Sequence, residues 1–206
     1  MENMAENNPQ EKLVFNATCF STNNQSFGTI SVMKQYFMST ECSDISYIKN
    51  VCVKFNHKLL AENGTKVECQ NTYIEIYPLS NTKKTSDKND CYIIFFDLEF
   101  NESLIELNKI LNFINLYCDT DKKIYLITIY TNEKNIKKNL TEENIKVYFG
   151  KYFMTNYDIS MVNMDSTDEI VKVIDSLTED TLQEKNLLNV NKNLDIDKSK
   201  SHCLLI

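Results

Sequence analysis

Two uninterrupted apolar runs constrain this chain most. Residues Cys91–Asp97 (CYIIFFD) and Lys123–Tyr130 (KIYLITIY) are continuous rather than alternating, the pattern of strands covered on both faces. Helical periodicity separates and follows them. Residues 101–117 place Leu104, Leu107, Leu111 and Ile114 on one stripe, with Asn101 and Ser103 marking the start. Thr141-Glu142-Glu143 opens a helix through Phe153 with Ile145, Tyr148, Phe149 and Tyr152 inward. Residues 165–185 align Ile170, Ile174 and Leu177. A further strand is expected over residues 157–162. Such alternation of strands and helices builds a mostly parallel sheet with helices on both faces.

The first half reads differently. Residues 12–20 form a buried first strand, a polar loop covers 21–26, and a helix over 28–39 carries Ile30, Met33, Tyr36 and Phe37. Val51, Val53 and Phe55 alternate along a half-buried strand over 51–60. Asn63-Gly64 is a tight-turn signal, and residues 66–77 return as an antiparallel partner. Pro78 stops that strand, and a polar connector runs over 79–90. The expected fold is an α/β domain over residues 12–185. It has six strands, mostly parallel with one antiparallel edge strand, and helices on both faces. Residues 1–11 are expected to be a disordered N-terminus and 186–206 a flexible tail.

Charge and composition exclude several chemistries. The net charge is −7, which opposes nucleic-acid binding because that requires a basic footprint. All 22 cationic side chains are lysine, so there is no arginine fork for phosphate. Three glycines, Gly28, Gly64 and Gly150, leave few places for a backbone nest around an anion. The seven cysteines include no C-x-x-C pair and read as reduced thiols. His57 and His202 lack zinc-ligand spacing, and no metal site is expected. The N-terminus is polar, Glu2 excludes myristoylation, and no apolar run reaches spanning length, so synthesis in the cytosol is expected.

Cys203-Leu204-Leu205-Ile206 reads as a C-a-a-X box, with Cys203 the lipidation site for a prenyl transferase. Ile206 is nearer the endings that receive geranylgeranyl than those that receive farnesyl. One lipid chain gives reversible membrane binding. The tail sets Lys185, Lys192, Lys198 and Lys200 against Glu184, Asp195 and Asp197, so no polybasic patch supplies a second signal. The chain is expected to cycle between membrane and cytosol or to lean on a membrane-bound partner.

The order of elements, with that tail, resembles the Ras superfamily of small GTPases, and within it the Rab branch. The likeness spans roughly residues 13–184. Asn50-Val-Cys-Val-Lys-Phe55 resembles the T-I-G-V-D-F effector strand, and Asn63-Gly-Thr resembles the D-G-K turn. Tyr73-Ile-Glu-Ile-Tyr77 resembles L-Q-I-W, and Tyr92-Ile-Ile-Phe-Phe-Asp97 with Glu102-Ser-Leu resembles V-V-Y-D…E-S-F. The resemblance implies a role in vesicle traffic on the cytoplasmic face of an intracellular or plasma membrane, with a cytosolic pool. It also implies protein partners docking on an effector-like surface at Asn50, Val51, Val53, Phe55 and Tyr77.

The nucleotide boxes depart from the family at every point. The phosphate loop G-x-x-x-x-G-K-[S/T] corresponds to residues 24–31 (NQSFGTIS), where Thr29 or Ile30 replaces the lysine. Asn50 stands for the switch I threonine, and Pro78-Leu-Ser-Asn81 for D-T-A-G. The connector that follows is too short for the usual switch II helix. Ile129-Tyr130-Thr131-Asn132 stands for N-K-x-D, and Asn163-Met164-Asp165 for S-A-K. The expectation is a lipid-anchored interaction module that does not switch, a pseudo-GTPase with no cofactor beyond the covalent lipid. The alternative is a divergent working GTPase that holds GTP or GDP with Mg²⁺ through Ser26, Gly28, Ser31 and Lys34. A further alternative is an unrelated α/β protein with a lipid-anchored tail. Cys19, Asp97 and His57 are reactive types without a nucleophile–base spacing.

Overall fold

A computed structural model describes residues 13–23, 28–48, 52–60, 66–76, 89–137 and 140–185. Seven strands form one mixed sheet: β1 (Leu13–Ser21), β2 (Ser43–Ile48), β3 (Cys52–Leu60), β4 (Lys66–Glu75), β5 (Cys91–Asp97), β6 (Lys123–Tyr130) and β7 (Tyr157–Asn163). Their order across the sheet is β2-β3-β4-β1-β5-β6-β7. β1 lies parallel to both β4 and β5, and β6 and β7 continue the parallel set. β3 runs antiparallel to β4 and to β2. Four helices complete the α/β fold: α1 (Thr29–Phe37), α2 (Ser103–Tyr117), α3 (Glu142–Lys151) and α4 (Thr167–Glu184).

The sheet has seven strands where six were expected, and the additional one is β2. All six of its residues are exposed, so S-D-I-S-Y-I carries no buried alternation to betray a strand. Its ladder with β3 breaks between Ser43 and Ser46. Asp44 sits there at φ 53°, a left-handed conformation that aspartate tolerates, and its carboxylate accepts a hydrogen bond from Asn56 Nδ2. In consequence β3, expected at the edge, is an interior strand.

The sheet separates two apolar layers. On one face α1 (Val32, Met33, Tyr36) and α4 (Ile170, Ile174, Leu177, Leu182) cover Phe15, Cys19, Val53, Phe55, Tyr73, Ile93 and Phe95. On the other, α2 and α3 cover Phe20, Tyr92, Ile94, Phe96, Ile124 and Leu126. β5 explains its own sequence: Ile93 and Phe95 enter one layer, Ile94 and Phe96 the other, and all seven residues are buried. Each such side chain contributes roughly 1.5–3 kcal/mol on burial.

Because β1, β4, β5, β6 and β7 share one direction, their carboxyl ends form a single rim. The chain leaves β1 for α1 on one face and leaves β5 for α2 on the other. The ends of β1 and β5 are therefore the topological switch point, the place where open α/β sheets commonly bind ligands. Residues 1–12, the connector 77–88 and the tail 186–206 lie outside the described residues.

Candidate functional site

α1 begins at Gly28, whose extended backbone (φ −87°, ψ 169°) is open to any residue, and no side chain of its own caps the helix. The cap comes from the neighbouring strand. Cys19 of β1 pairs with Glu75 at the end of β4, and from there Glu75 Oε2 accepts a hydrogen bond from the Thr29 amide at 3.2 Å. An acidic group at a helix N-terminus is favoured by the exposed N–H groups and the helix dipole. Gly28 contributes space: a Cβ there would lie 3.1 Å from Glu75 Oε1. Glu75 is half-buried, and burial raises its pKa, partly offset by hydrogen bonds from Thr29.

Other carboxylates hold the rest of the rim in the same way. Asp97, buried at the end of β5, accepts from Asn23 Nδ2 and from the Glu99 amide, both at 2.8 Å. The Asp97 amide donates to Thr22 Oγ1 at 3.0 Å, and Ser103 Oγ donates to the Asp97 carbonyl. The start of α2 and the ends of β1 and β5 are thereby tied together. Glu99 reaches the end of β6, where its carboxylate accepts from Thr131 Oγ1 at 2.9 Å and the Asn132 amide at 2.8 Å. Glu169, in the first turn of α4, accepts from the Asn163 amide at 2.8 Å. Four backbone amides at this rim (Thr29, Glu99, Asn132 and Asn163) thus donate to the protein's own carboxylates.

A polyphosphate would meet these same groups as like charges. Ser31 and Lys34 do not offset them: both side chains are exposed on α1, with Lys34 in its last turn. Gly28 is beside Glu75, and Ser26 lies outside the described residues. Among the described residues, the first amide of α1 is thus taken by Glu75 rather than left open to an anion, and residues 24–27 of the preceding loop lie outside the described residues. Among the described residues, no three of His, Cys, Asp and Glu are arranged to hold a metal ion.

No protein-family model matches the chain, and no curated protein is significantly similar to it.

The effector-like surface is distributed differently from the expectation. Val53 and Phe55 are buried in the layer under α1 and α4, with Phe55 stacked on Tyr73 at a ring separation of 5.7 Å. Asn50, Val51, Tyr77 and Cys203 lie outside the described residues. The outer edge of that side of the sheet is β2, where Ile45, Tyr47 and Ile48 are each exposed by 40 % or more.

A second polar cluster joins α1, β3 and α4. Tyr36, buried on α1, donates its hydroxyl proton to Asp175 Oδ1 at 2.6 Å. Its oxygen then accepts from His57 Nε2–H at 3.3 Å, and His57 Nε2 is 3.7 Å from Asp175 Oδ1. Burial lowers the His57 pKa and Asp175 opposes that shift, while burial raises Tyr36. A cleft of about 210 Å³ beside it is lined in part by Cys42 and His57. Burial also raises the Cys42 pKa, so the thiol there is no activated nucleophile.

Glu75 lies in the stretch likened to L-Q-I-W without an assigned role there, and Glu99 belongs to no sequence motif. The signal that could have found Glu75 is parity. It shares the core-facing side of β4 with Cys69 and Tyr73, and a carboxylate on that side needs a partner.

Proposed function

We propose that this chain is a lipid-anchored interaction module with the architecture of a small GTPase and without its nucleotide switch. The reading places it on the cytoplasmic face of a membrane, in vesicle traffic, with Cys203 carrying a geranylgeranyl or farnesyl group. The observation that carries it is the Glu75 carboxylate on the first amide of α1. A switching GTPase holds its two states apart by γ-phosphate contacts at that helix and its loops. Here an internal anion takes the amide, Asp97 and Glu99 at the same rim are acidic too, and the lysine of the phosphate loop is replaced. Fixed internal hydrogen bonds support a surface held in one state.

Partner binding is assigned to the outer edge of the sheet. β2 exposes a strand edge together with Ile45, Tyr47 and Ile48, which suits addition of an extended segment from a protein partner. Among the described residues no helix is long and apolar enough to cross a membrane, and in this reading membrane contact begins with the tail.

The test is the nucleotide content of the purified full chain, read by ion-exchange chromatography after denaturation, with thermal shifts against GTP and GDP in Mg²⁺. The expected result is no guanine nucleotide and no shift. A stoichiometric guanine nucleotide would overturn the reading in favour of a divergent GTPase.

A further inference from the structure

α3 ends in a Schellman motif built on the wrong residue. The Met154 amide donates to the Phe149 carbonyl and the Phe153 amide to the Gly150 carbonyl, both at 3.1 Å. That pattern needs a left-handed residue at Phe153, a position glycine usually fills. Phe153 adopts it at φ 56°, which is uncommon for any non-glycine residue and strained for a bulky one. The ring gains no packing in return, since Phe153 is 89 % exposed. Met154 beside it is buried and closes the motif. A strained aromatic residue aimed into solvent contributes nothing to folding.

Its position indicates a role. α3 runs against the strands, so Phe153 lies at the amino-end rim of the sheet, opposite the carboxylate-lined rim. α2 ends there too, with Leu116 and Tyr117 both more than half exposed. The Asn156 side chain, donating to the Asp121 carbonyl, ties the two connections together. α4 also ends at this rim, held by Lys123 between Asp158 (2.7 Å) and Glu184 (3.6 Å) and by Lys185 on Asp90 (2.7 Å). Residues 186–206, with Cys203, continue from that corner.

The geometry points to the amino-end rim as a membrane-contact surface, with Phe153 as an apolar wedge and Leu116 and Tyr117 exposed at the same rim. This rests on the reading of Cys203 as a lipid anchor, and it supplies the second signal that a single chain needs for stable residence. The occupant is the headgroup–acyl boundary of a bilayer of zwitterionic lipid. Among the described residues of this rim, Lys123 and Lys185 are ion-paired, Lys151 donates to Asn108 Oδ1, and the turn after α2 sets Asp119 and Asp121 against Lys122, so these residues form no cationic patch for anionic lipid. Tyrosine is a favoured residue at that boundary.

The chain contains no tryptophan, so Phe153→Trp makes a single fluorescent reporter. The full chain is given a hexahistidine tag after Ile206 and tethered to phosphatidylcholine vesicles through a nickel-chelating lipid, independently of prenylation. Brominated acyl chains are expected to quench and blue-shift the indole emission of Phe153→Trp, with little change when phosphatidylserine is added. Phe153→Gly relieves the strain, so its thermal midpoint is expected to hold or rise. Its untethered binding to the same vesicles is expected to fall about tenfold, from loss of one buried aromatic ring. Unquenched, unshifted emission on tethered vesicles overturns the wedge, as does a Phe153→Gly chain that binds as well as the parent. Failure of the anchor reading appears separately, as an unchanged membrane fraction for Cys203→Ser in cells.

Discussion

Tyr36→Phe removes one oxygen from the junction of α1, β3 and α4 and leaves the ring in place. The ring keeps its contacts with Phe37 (6.0 Å), Phe55 (5.8 Å) and His57 (5.9 Å), so the cavity term is small. The loss is one short hydrogen bond to a carboxylate and one from His57. A hydrogen bond to a charged group contributes about 1.5–3 kcal/mol. Asp175 is about a third exposed and can rehydrate once released, so the expected cost is about 1–2 kcal/mol after allowing for water. For a chain of this size that is a drop of roughly 2–8 °C in thermal midpoint. Denaturant unfolding of the parent, Tyr36→Phe, Asp175→Asn and the double variant checks the pairing directly. The two single changes are expected to be non-additive by about 0.5 kcal/mol or more, because they remove the same bond. An unaltered midpoint for Tyr36→Phe, or strict additivity, would refute the claim that this bond ties α1 to α4.

Three further outcomes are expected. Burial depresses the His57 pKa, so its contribution is fully present above the unfolded value of about 6.5 and is lost as pH falls below it; His57→Gln should flatten the stability profile between pH 7 and 5, and an unchanged slope would count against the buried neutral imidazole. Glu75 has the opposite sign. Its pKa is raised, so its contribution is fully present below about 4.3 and is lost as pH rises through the folded value. Glu75→Gln should therefore match or exceed the parent at pH 7 by up to about 1 kcal/mol, since it keeps an acceptor for Thr29 without the charge, and clear destabilisation at pH 7 would refute this balance. Gly28→Ala should change stability by less than about 1 kcal/mol, because its backbone suits alanine and its new methyl meets only the movable end of Glu75; a loss well beyond that in urea unfolding would mean Glu75 cannot shift.

Some of this protein was readable from local pattern alone. The runs at β5 and β6 announce two-sided burial because a strand between two helix layers has no polar face. Helices α1 to α4 begin and end within about two residues of their periodic segments, since an amphipathic stripe and a cap such as Thr141 or Ser166 are sequence-local signals. The turnover from hairpin to strand–helix alternation likewise followed from period and from Asn63-Gly64. That the chain carries no arginine and three glycines is visible in the residue types themselves.

What depended on the tertiary structure was every relation across the sheet. β2 is held by backbone bonds to β3, which leave no mark in a fully exposed sequence, and its presence turns β3 from an edge into an interior strand, while α1 and α4 bury Val53 and Phe55 on the sheet face. Glu75 meets the Thr29 amide 46 residues away only because β4 lies beside β1 in one register. Phe153 reads in sequence as the last residue of a helix, yet the reversal of the chain into β7 forces a left-handed residue there and turns the ring out to water. Periodicity reports which face of one element is apolar; which elements become neighbours, and which side chain is left facing solvent, is settled when the layers close.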